Sequence, residues 1–367
     1  MRFHIVLFFI LGCFGAIQSA HATIRISDVL NRQITLTQPA QRIFLGFYFE
    51  DYLAIAGPDA YQKVAIFPRK SWEDYRQSQW TVYTKALPEI LTIADSGSIY
   101  TGTFQFEKLL LAKPDVALLA AWQYKSLADK IPLLEQAGIQ VVVVDFNAQT
   151  LEKHLLSIRV IGQVMGTEAR AHAIANEYEQ SVKDVETRVT QYLKTHPKRR
   201  VYVEIGTGGS AEFGKSYSNT MWGNLLAVAG ANNIASGQFQ GSAHLSPEYV
   251  LSRNPEVIFI TGAHWSKHTH SALMGHGTSK TESMARYTPY LKRQGWSHLD
   301  AVKNNAVYGM YHSGTRTLYD YIFLQFLAKS IYPEAFSDLE PEQNLHRFFQ
   351  QYMPVALNGT FMMQVEG

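Results

Sequence analysis

Two stretches of this chain read almost alike: FQFEKLLLAKPDVALL, Phe104 to Leu119, and LSPEYVLSRNPEVIFI, Leu245 to Ile260. Aligned, they share a Glu, an apolar residue followed by Leu, a Lys or Asn before Pro, then an acid, a Val and an apolar run. Each phrase reads as a short helix with an acid in its first turn, a Pro that ends it, and a strand buried on both faces. A helix feeding a buried strand is half of a βαβ unit, so a chain that writes it twice is committed to α/β architecture with mainly parallel sheets. In the second copy Ser246 fits an N-cap and Pro247 the first helical position, where its missing N–H costs nothing. Glu248, like Glu107 in the first copy, then sits beside a helix N-terminus, where the macrodipole favours negative charge.

The rest of the text keeps the alternation. RIFLGF (Arg42 to Phe47) reads as a strand before the helical EDYLAIAG, and VALLAAW as a strand after the first copy. A helical IPLLEQAG ends at Gly138 before the strand VVVVDF. A long helical region follows, LEKHLLSIRVIGQVMG and then TEARAHAIANEYEQSVKDVETRVTQYLKTH. In its second part Ala171, Ile174, Ala175, Tyr178, Val182, Val185, Val189 and Tyr192 recur at steps of three and four. That stripe predicts one helix of roughly 28 residues, about 40 Å long. After Pro197 come the strand VYVEIG, the helix SNTMWGNLLAVAG, the second copy, the strands IFITG and AVYGM, and two closing helices. The segment His264 to Tyr290, rich in His, Ser, Thr and Gly and weak in periodicity, predicts a long surface insertion.

With one copy of the phrase on each side of the long helix, the predicted fold is two α/β lobes. Each has a central mainly parallel sheet flanked by helices, and a single long interlobe helix joins them. Residues 23–150 form the N-terminal lobe, 151–197 the interlobe helical segment and 198–367 the C-terminal lobe. The first 22 residues stand apart. MRFH is basic, IVLFFILGCFGAI is apolar but shorter than the roughly 20 residues a spanning helix needs, and Ala20-His21-Ala22 fits a cleavage site, so residues 1–22 read as a cleavable export signal. The sole cysteine, Cys13, lies inside it, in an Ile10-Leu11-Gly12-Cys13 stretch that loosely resembles a lipoprotein box but sits unusually early. Cleavage after Ala22 leaves no cysteine for disulfides, thiolate metal sites or nucleophilic catalysis. A net charge of +2 and no basic run beyond KRR at Lys198 to Arg200 argue against nucleic acid as a partner.

One motif points to a different class. Gly209 to Ser216, GSAEFGKS, satisfies the P-loop pattern, follows a strand and precedes a helix, which would place Lys215 on nucleotide phosphates and Ser216 on Mg²⁺. Against it, Glu212 would push a carboxylate into an anion nest, and export leads to a compartment without ATP. No nucleophile elbow, H-E-x-x-H or paired carboxylate marks an enzyme.

From PAQRIFLGFYFEDYLAIAG through FEKLLLAKPDVALL, LEQAGIQVVVVD, IGQVMGTEARAHAIANEYEQ, GNLLAVAGANNIA and LSPEYVLSRNPEVIFITG to LDAVKNNAVYGM, the chain resembles one group of bacterial periplasmic substrate-binding proteins. These are the iron-siderophore, heme and vitamin B12 binders that serve ABC importers. The resemblance implies a monomeric binding protein without catalytic activity or cofactor, in the periplasm, with its ligand in a cleft at the lobe tips. It also implies that Glu107 and Glu248 dock onto arginines of an ABC permease dimer in the inner membrane.

Open α/β sheets place ligands in loops just past strand C-termini. By that rule the candidate ligand contacts are Tyr48, Trp122, Lys215, His264, Trp265, Tyr311, His312 and Arg316, and the resemblance adds Tyr100. Aromatic planes and cations of this kind suit a planar, anionic ferric chelate, the expected ligand, with heme and cobalamin as alternatives. A heme would want an axial ligand, for which Tyr48, Tyr100 and His264 are candidates. His264, His268, His270 and His276 invite a direct metal reading, but no carboxylate joins them at ligand spacing.

Overall fold

The computed structural model describes residues 23–265 and 268–367; the export segment lies outside the described residues. Two five-stranded sheets form the lobes. The first runs Ala94–Asp95, Val64–Phe67, Ile43–Leu45, Val116–Ala120, Gln140–Val144, all parallel. The second runs Asn232–Asn233, Arg200–Ile205, Val257–Gly262, Val307–Tyr311, Met362–Gln364, parallel except for its last strand. Val116–Ala120 and Val257–Gly262, the strands of the two repeated phrases, are buried at every residue, as strands covered on both faces must be.

The structure shows what the repeated phrase builds. Its helices are Phe106–Ala112 and Pro247–Arg253, anchored by buried Leu109 and Val250. Both end in a left-handed residue before the Pro, Lys113 (φ 47°) and Asn254 (φ 44°). The acid after each Pro then holds the start of the neighbouring strand. Asp115 accepts from the backbone N–H groups of Gln41 (2.7 Å) and Arg42 (3.1 Å), and Glu256 from that of Arg200 (2.9 Å). The two arginines answer in kind. Arg42 donates to the carbonyls of Ala112 and Lys113, and Arg200 to that of Asn254. Arginine, acid and helix end therefore form one clamp, used once per lobe, and it sets the sheet register, Ile43 opposite Val116 and Val201 opposite Val257. Ser246 caps its helix by accepting from Tyr249 N–H, with Pro247 at the first helical position.

Between the sheets run Leu151–Met165 and the long helix Glu168–Tyr192. Their close approach depends on Gly162, where a side chain would start 2.4 Å from the Ala171 Cβ. Seven of the eight predicted stripe residues on the long helix are buried and Tyr192 partly so. The helix has 25 residues and is packed against both lobes rather than standing free. Arg170 donates to the Ala54 carbonyl on one side and the Tyr352 carbonyl on the other.

The lobes also meet directly. Gln149 Nε2 donates to Thr315 Oγ1 (2.6 Å), Asp51 accepts from Thr317 Oγ1 and Leu318 N (both 2.7 Å), and Glu50 accepts from Tyr319 OH (2.8 Å). These buried bonds pin the 315–319 loop of the second lobe onto the first.

The 264–290 segment is not a surface insertion. Ala272, Met274, Tyr287 and Tyr290 are fully buried, Gly275–His276 pairs with Gly359–Thr360, and Lys280–Tyr287 is a helix with a Ser279–Glu282 capping box. The Ala272 N–H donates to Gly206 O, and its carbonyl accepts from Ala263 N–H. The segment thus closes over the C-terminal ends of two central strands. Its apolar anchors are too widely spaced to register as a helical or strand period, so its burial is invisible in local sequence.

Candidate functional site

A cavity of about 540 Å³ opens at the C-terminal ends of the first sheet. All five strand ends reach it: Leu45 leads to Gly46 and Phe47, Phe67 to Pro68, Asp95 to Ser98 and Tyr100, Ala120 to Trp122 and Gln123, and Val144 to Asn147. Gln123 ties two of these turns together, donating to Gly46 O (2.9 Å) while accepting from Ala120 N–H (3.1 Å). Gly46 is required there, since a Cβ would lie 2.5 Å from the Gln123 oxygen.

The wall is aromatic. Phe47 meets Trp122 edge to face (centroids 5.7 Å), Trp122 meets Tyr100 the same way (6.4 Å), and Phe49 stacks on Trp72 (5.0 Å). Tyr48 stands behind this wall. It is left-handed (φ 56°) and 5% exposed, and its hydroxyl accepts from the Phe146 and Asn147 N–H groups, both at 3.2 Å. Burial raises its phenol pKa well above the ordinary range. It turns Phe47 and Phe49 into the cavity.

Two cations face the space, Arg76 after the helix Arg69–Tyr75 and Arg316 from the second lobe. No ion pair among the described residues engages either, and the Arg316 Nε is buried without a partner. Burial, then the nearby charge of Arg76, lowers the Arg316 pKa. Glu50 and Asp51 lie beside the pair; Tyr83 and Tyr319 each bond one Glu50 oxygen, while Thr317 and Leu318 both bond Asp51 Oδ1. Burial raises both carboxyls, against the opposing pull of those hydrogen bonds and of the Arg76 charge. A concave, ring-lined space with two guanidinium groups outside any close ion pair is suited to a flat ligand bearing negative charge.

Of the residues singled out in the sequence, Tyr100, Trp122 and Arg316 converge on this cavity and Tyr48 supports it. The others are not among its lining residues. Tyr311 is inside its strand and 2% exposed, packed on Phe361 and His276. Lys215 is exposed in the strand Lys215–Tyr217, and His264, His268 and His270 are exposed. Trp265 stands edge-on to His312 (5.4 Å), whose Nδ1 bonds Thr261 Oγ1 (2.9 Å). Phe47, Phe49, Trp72, Tyr75, Arg76 and Asn147 went unremarked in the sequence. The density of rings and arginines in PRKSWEDYRQSQW was the available signal for the middle three.

The glycine segment does not form a P-loop. Gly209–Ala211 is a single 3₁₀ turn, and Lys215 and Ser216 start a strand instead of a helix. The turn wraps a buried ion pair. Arg293 meets Glu204 bidentately (2.9 and 2.9 Å), donates to the carbonyls of Gly209, Ser210 and Glu212, and lies over the rings of Phe213, Tyr290 and Trp296. A cation already fills the place a phosphate would need.

His276 is 2% exposed, ringed by Tyr83, Tyr311, Phe349 and Phe361, and neither ring nitrogen has a partner. Burial lowers its pKa to about 4, and that of His154 likewise to about 4. Both bind protons more readily unfolded than folded, so the stability they allow above about pH 6.5 is lost as pH falls toward 4. The raised carboxyls of Glu50, Asp51 and Asp320 act in the opposite sense, losing stability as pH rises. His276→Leu should isolate one contribution: in calorimetry its Tm should gain on the wild type progressively from pH 6.5 down to 4.5. A margin independent of pH would show that His276 does not titrate in this range.

Two α/β lobes bridged by a long helix, with a cavity at the strand ends of the first, are an architecture suited to holding a solute. Residues 48–312 match the periplasmic binding protein family, and the chain belongs to that family, whose members bind solutes and are not enzymes. The crystal structure of the TroA-like periplasmic binding protein FepB from Veillonella parvula has the same fold at 34% identity and a TM-score of 0.90, over 94% of this chain and 100% of that one. An uncharacterized ABC transporter substrate-binding lipoprotein of Bacillus subtilis, YvrC, is 27% identical over 237 residues, 63% of this chain and 66% of that protein. A vitamin B12-binding protein of Pectobacterium atrosepticum is 25% identical over 187 residues, 51% of this chain and 63% of that one. The chain thus matches just under two thirds of the length of these two relatives.

Proposed function

We propose that the protein captures an anionic iron(III) chelate of the siderophore type in the periplasm and delivers it to an ABC importer of the inner membrane. The supporting observation is the ring-lined cavity with Arg76 and Arg316 at its edge, neither in a close ion pair among the described residues. Guanidinium groups pair with oxygen-rich anions, and aromatic faces pack on flat chelating arms. The N-terminal MRFH, apolar run and Ala20-His21-Ala22 fit export, and relatives named as periplasmic or lipoprotein binders fit the same location. Direct bonding between the lobes and a packed connecting helix favour a largely preformed pocket with small ordering losses on binding.

The test is a fluorescence titration of purified residues 23–367 with ferric catecholate and hydroxamate siderophores, heme and cobalamin. Trp72 and Trp122 line the cavity, so a bound ferric chelate should quench emission at micromolar concentration or below. Quenching by heme or cobalamin alone would replace the ligand. Silence toward the whole panel would remove the cavity as a chelate site.

A further inference from the structure

Tyr48 (φ 56°) and Arg316 (φ 61°) hold left-handed backbone conformations on either side of the cavity, although neither is a residue that adopts them readily. Such residues persist where the surroundings fix them, and they gather at ligand clamps. The group that fixes Arg316 is Asp320. Its Oδ2 accepts from the Arg316 backbone N–H (3.2 Å), while Oδ1 accepts from Tyr178 OH (2.8 Å). Asp320 is wholly buried and absent from the cavity wall, and Tyr178 lies midway along the connecting helix.

A neighbouring set of bonds holds the other strained residue. His154 Nδ1 lies 3.8 Å from Asp320 Oδ1, and its Nε2 bonds the Phe146 carbonyl (2.8 Å). The N–H groups of Phe146 and Asn147 in turn hold Tyr48 OH. Asp320 is therefore bonded to both Arg316 and Tyr178, and His154 packs beside it without a hydrogen bond between them.

We propose that Asp320 is the positioning residue of the cavity: it locks Arg316 in the conformation that turns the guanidinium toward the ligand and secures it to the connecting helix through Tyr178. This role rests on the anionic-chelate reading and deepens it. Without the acceptor at Oδ2, Arg316 is free to leave the left-handed region, and its charge leaves the cavity edge.

A double-mutant cycle tests the assignment, using the ferric siderophore that quenches wild-type fluorescence. Asp320→Ala should weaken binding roughly tenfold, the loss of one hydrogen bond to a charged group. In an Arg316→Ala background the same substitution should change affinity less than twofold, because the group it positions is already gone. Equal losses in both backgrounds would mark Asp320 as a packing residue only and overturn the proposal, as would no loss in either. Tyr178→Phe removes one partner of the network without emptying the core, so it carries the cycle if Asp320→Ala fails to fold. A second readout needs no ligand. In spectra of ¹⁵N-arginine-labelled protein, the Arg316 Nε–H signal, identified by its loss in Arg316→Ala, should shift in Asp320→Ala and in Tyr178→Phe. An unmoved signal overturns the proposal even if a chelate binds. If no panel member binds the wild-type protein, the chelate reading fails while this signal still decides the role of Asp320.

Discussion

Replacing Arg76 and Arg316 together by alanine should weaken binding of an anionic ferric chelate by at least roughly a hundredfold. Each guanidinium bonded to a ligand oxygen contributes about 1.5–3 kcal/mol, and about 1.4 kcal/mol is tenfold in affinity. The single variants should each lose part of this. The direction of the stability change separates a ligand cation from a structural one. A structural arginine such as Arg293, paired with Glu204 and covered by three rings, would destabilise the fold by about 3–5 kcal/mol if truncated. Arg316 has no ion pair, has a buried Nε without a partner, and is disfavoured by the charge of Arg76. Its removal should leave Tm unchanged or raise it, a trade of stability for function. Titration and thermal melting of the same variants decide the matter. Weakened folding with unchanged affinity would show that these arginines serve the scaffold.

The second large effect concerns delivery. Glu107 and Glu248 occupy the same position in the two copies of the clamp, both exposed in the first turn of a seven-residue helix, and neither takes part in an ion pair among the described residues. The clamp itself uses Asp115 and Glu256, so these two acids are not needed to build it. Changing both Glu107 and Glu248 to Ala should abolish uptake of the ligand by cells while leaving its affinity for the purified protein unaltered. Each single variant should retain a fraction of transport. Because exposed charges are screened beyond about 10 Å at 0.1 M salt, association with the permease should weaken as salt rises, and less steeply for the double variant. Lost ligand affinity, or full transport by the double variant, would sink the docking role.

The contrast between these two pairs shows what sequence could reveal. Glu107 and Glu248 were found because their surroundings repeat along the chain, and repetition needs no structure to be seen. Tyr100, Trp122 and Arg316 came from a resemblance and from the rule that ligands gather past strand ends. That rule brought Trp122 from the first sheet to the cavity but only Arg316 from the second. There the 264–290 segment, drawn in through Ala272, Met274, Tyr287 and Tyr290, closes the strand ends that would have presented Lys215 and His264. Arg76 lay in a segment with no motif, and only folding placed it near Arg316 of the other lobe.

By itself the amino-acid order determined two α/β halves, the stripe of the connecting helix and the paired acids, because hydrophobic period, helix caps and a repeated phrase are properties of neighbouring residues. Tertiary structure alone decided where the cavity opens, that its two cations stand outside close ion pairs among the described residues, and that Asp320 rather than any lining group holds one of them. Those depend on segments hundreds of residues apart meeting in a dry interior, where burial sets the worth of each charge and hydrogen bond.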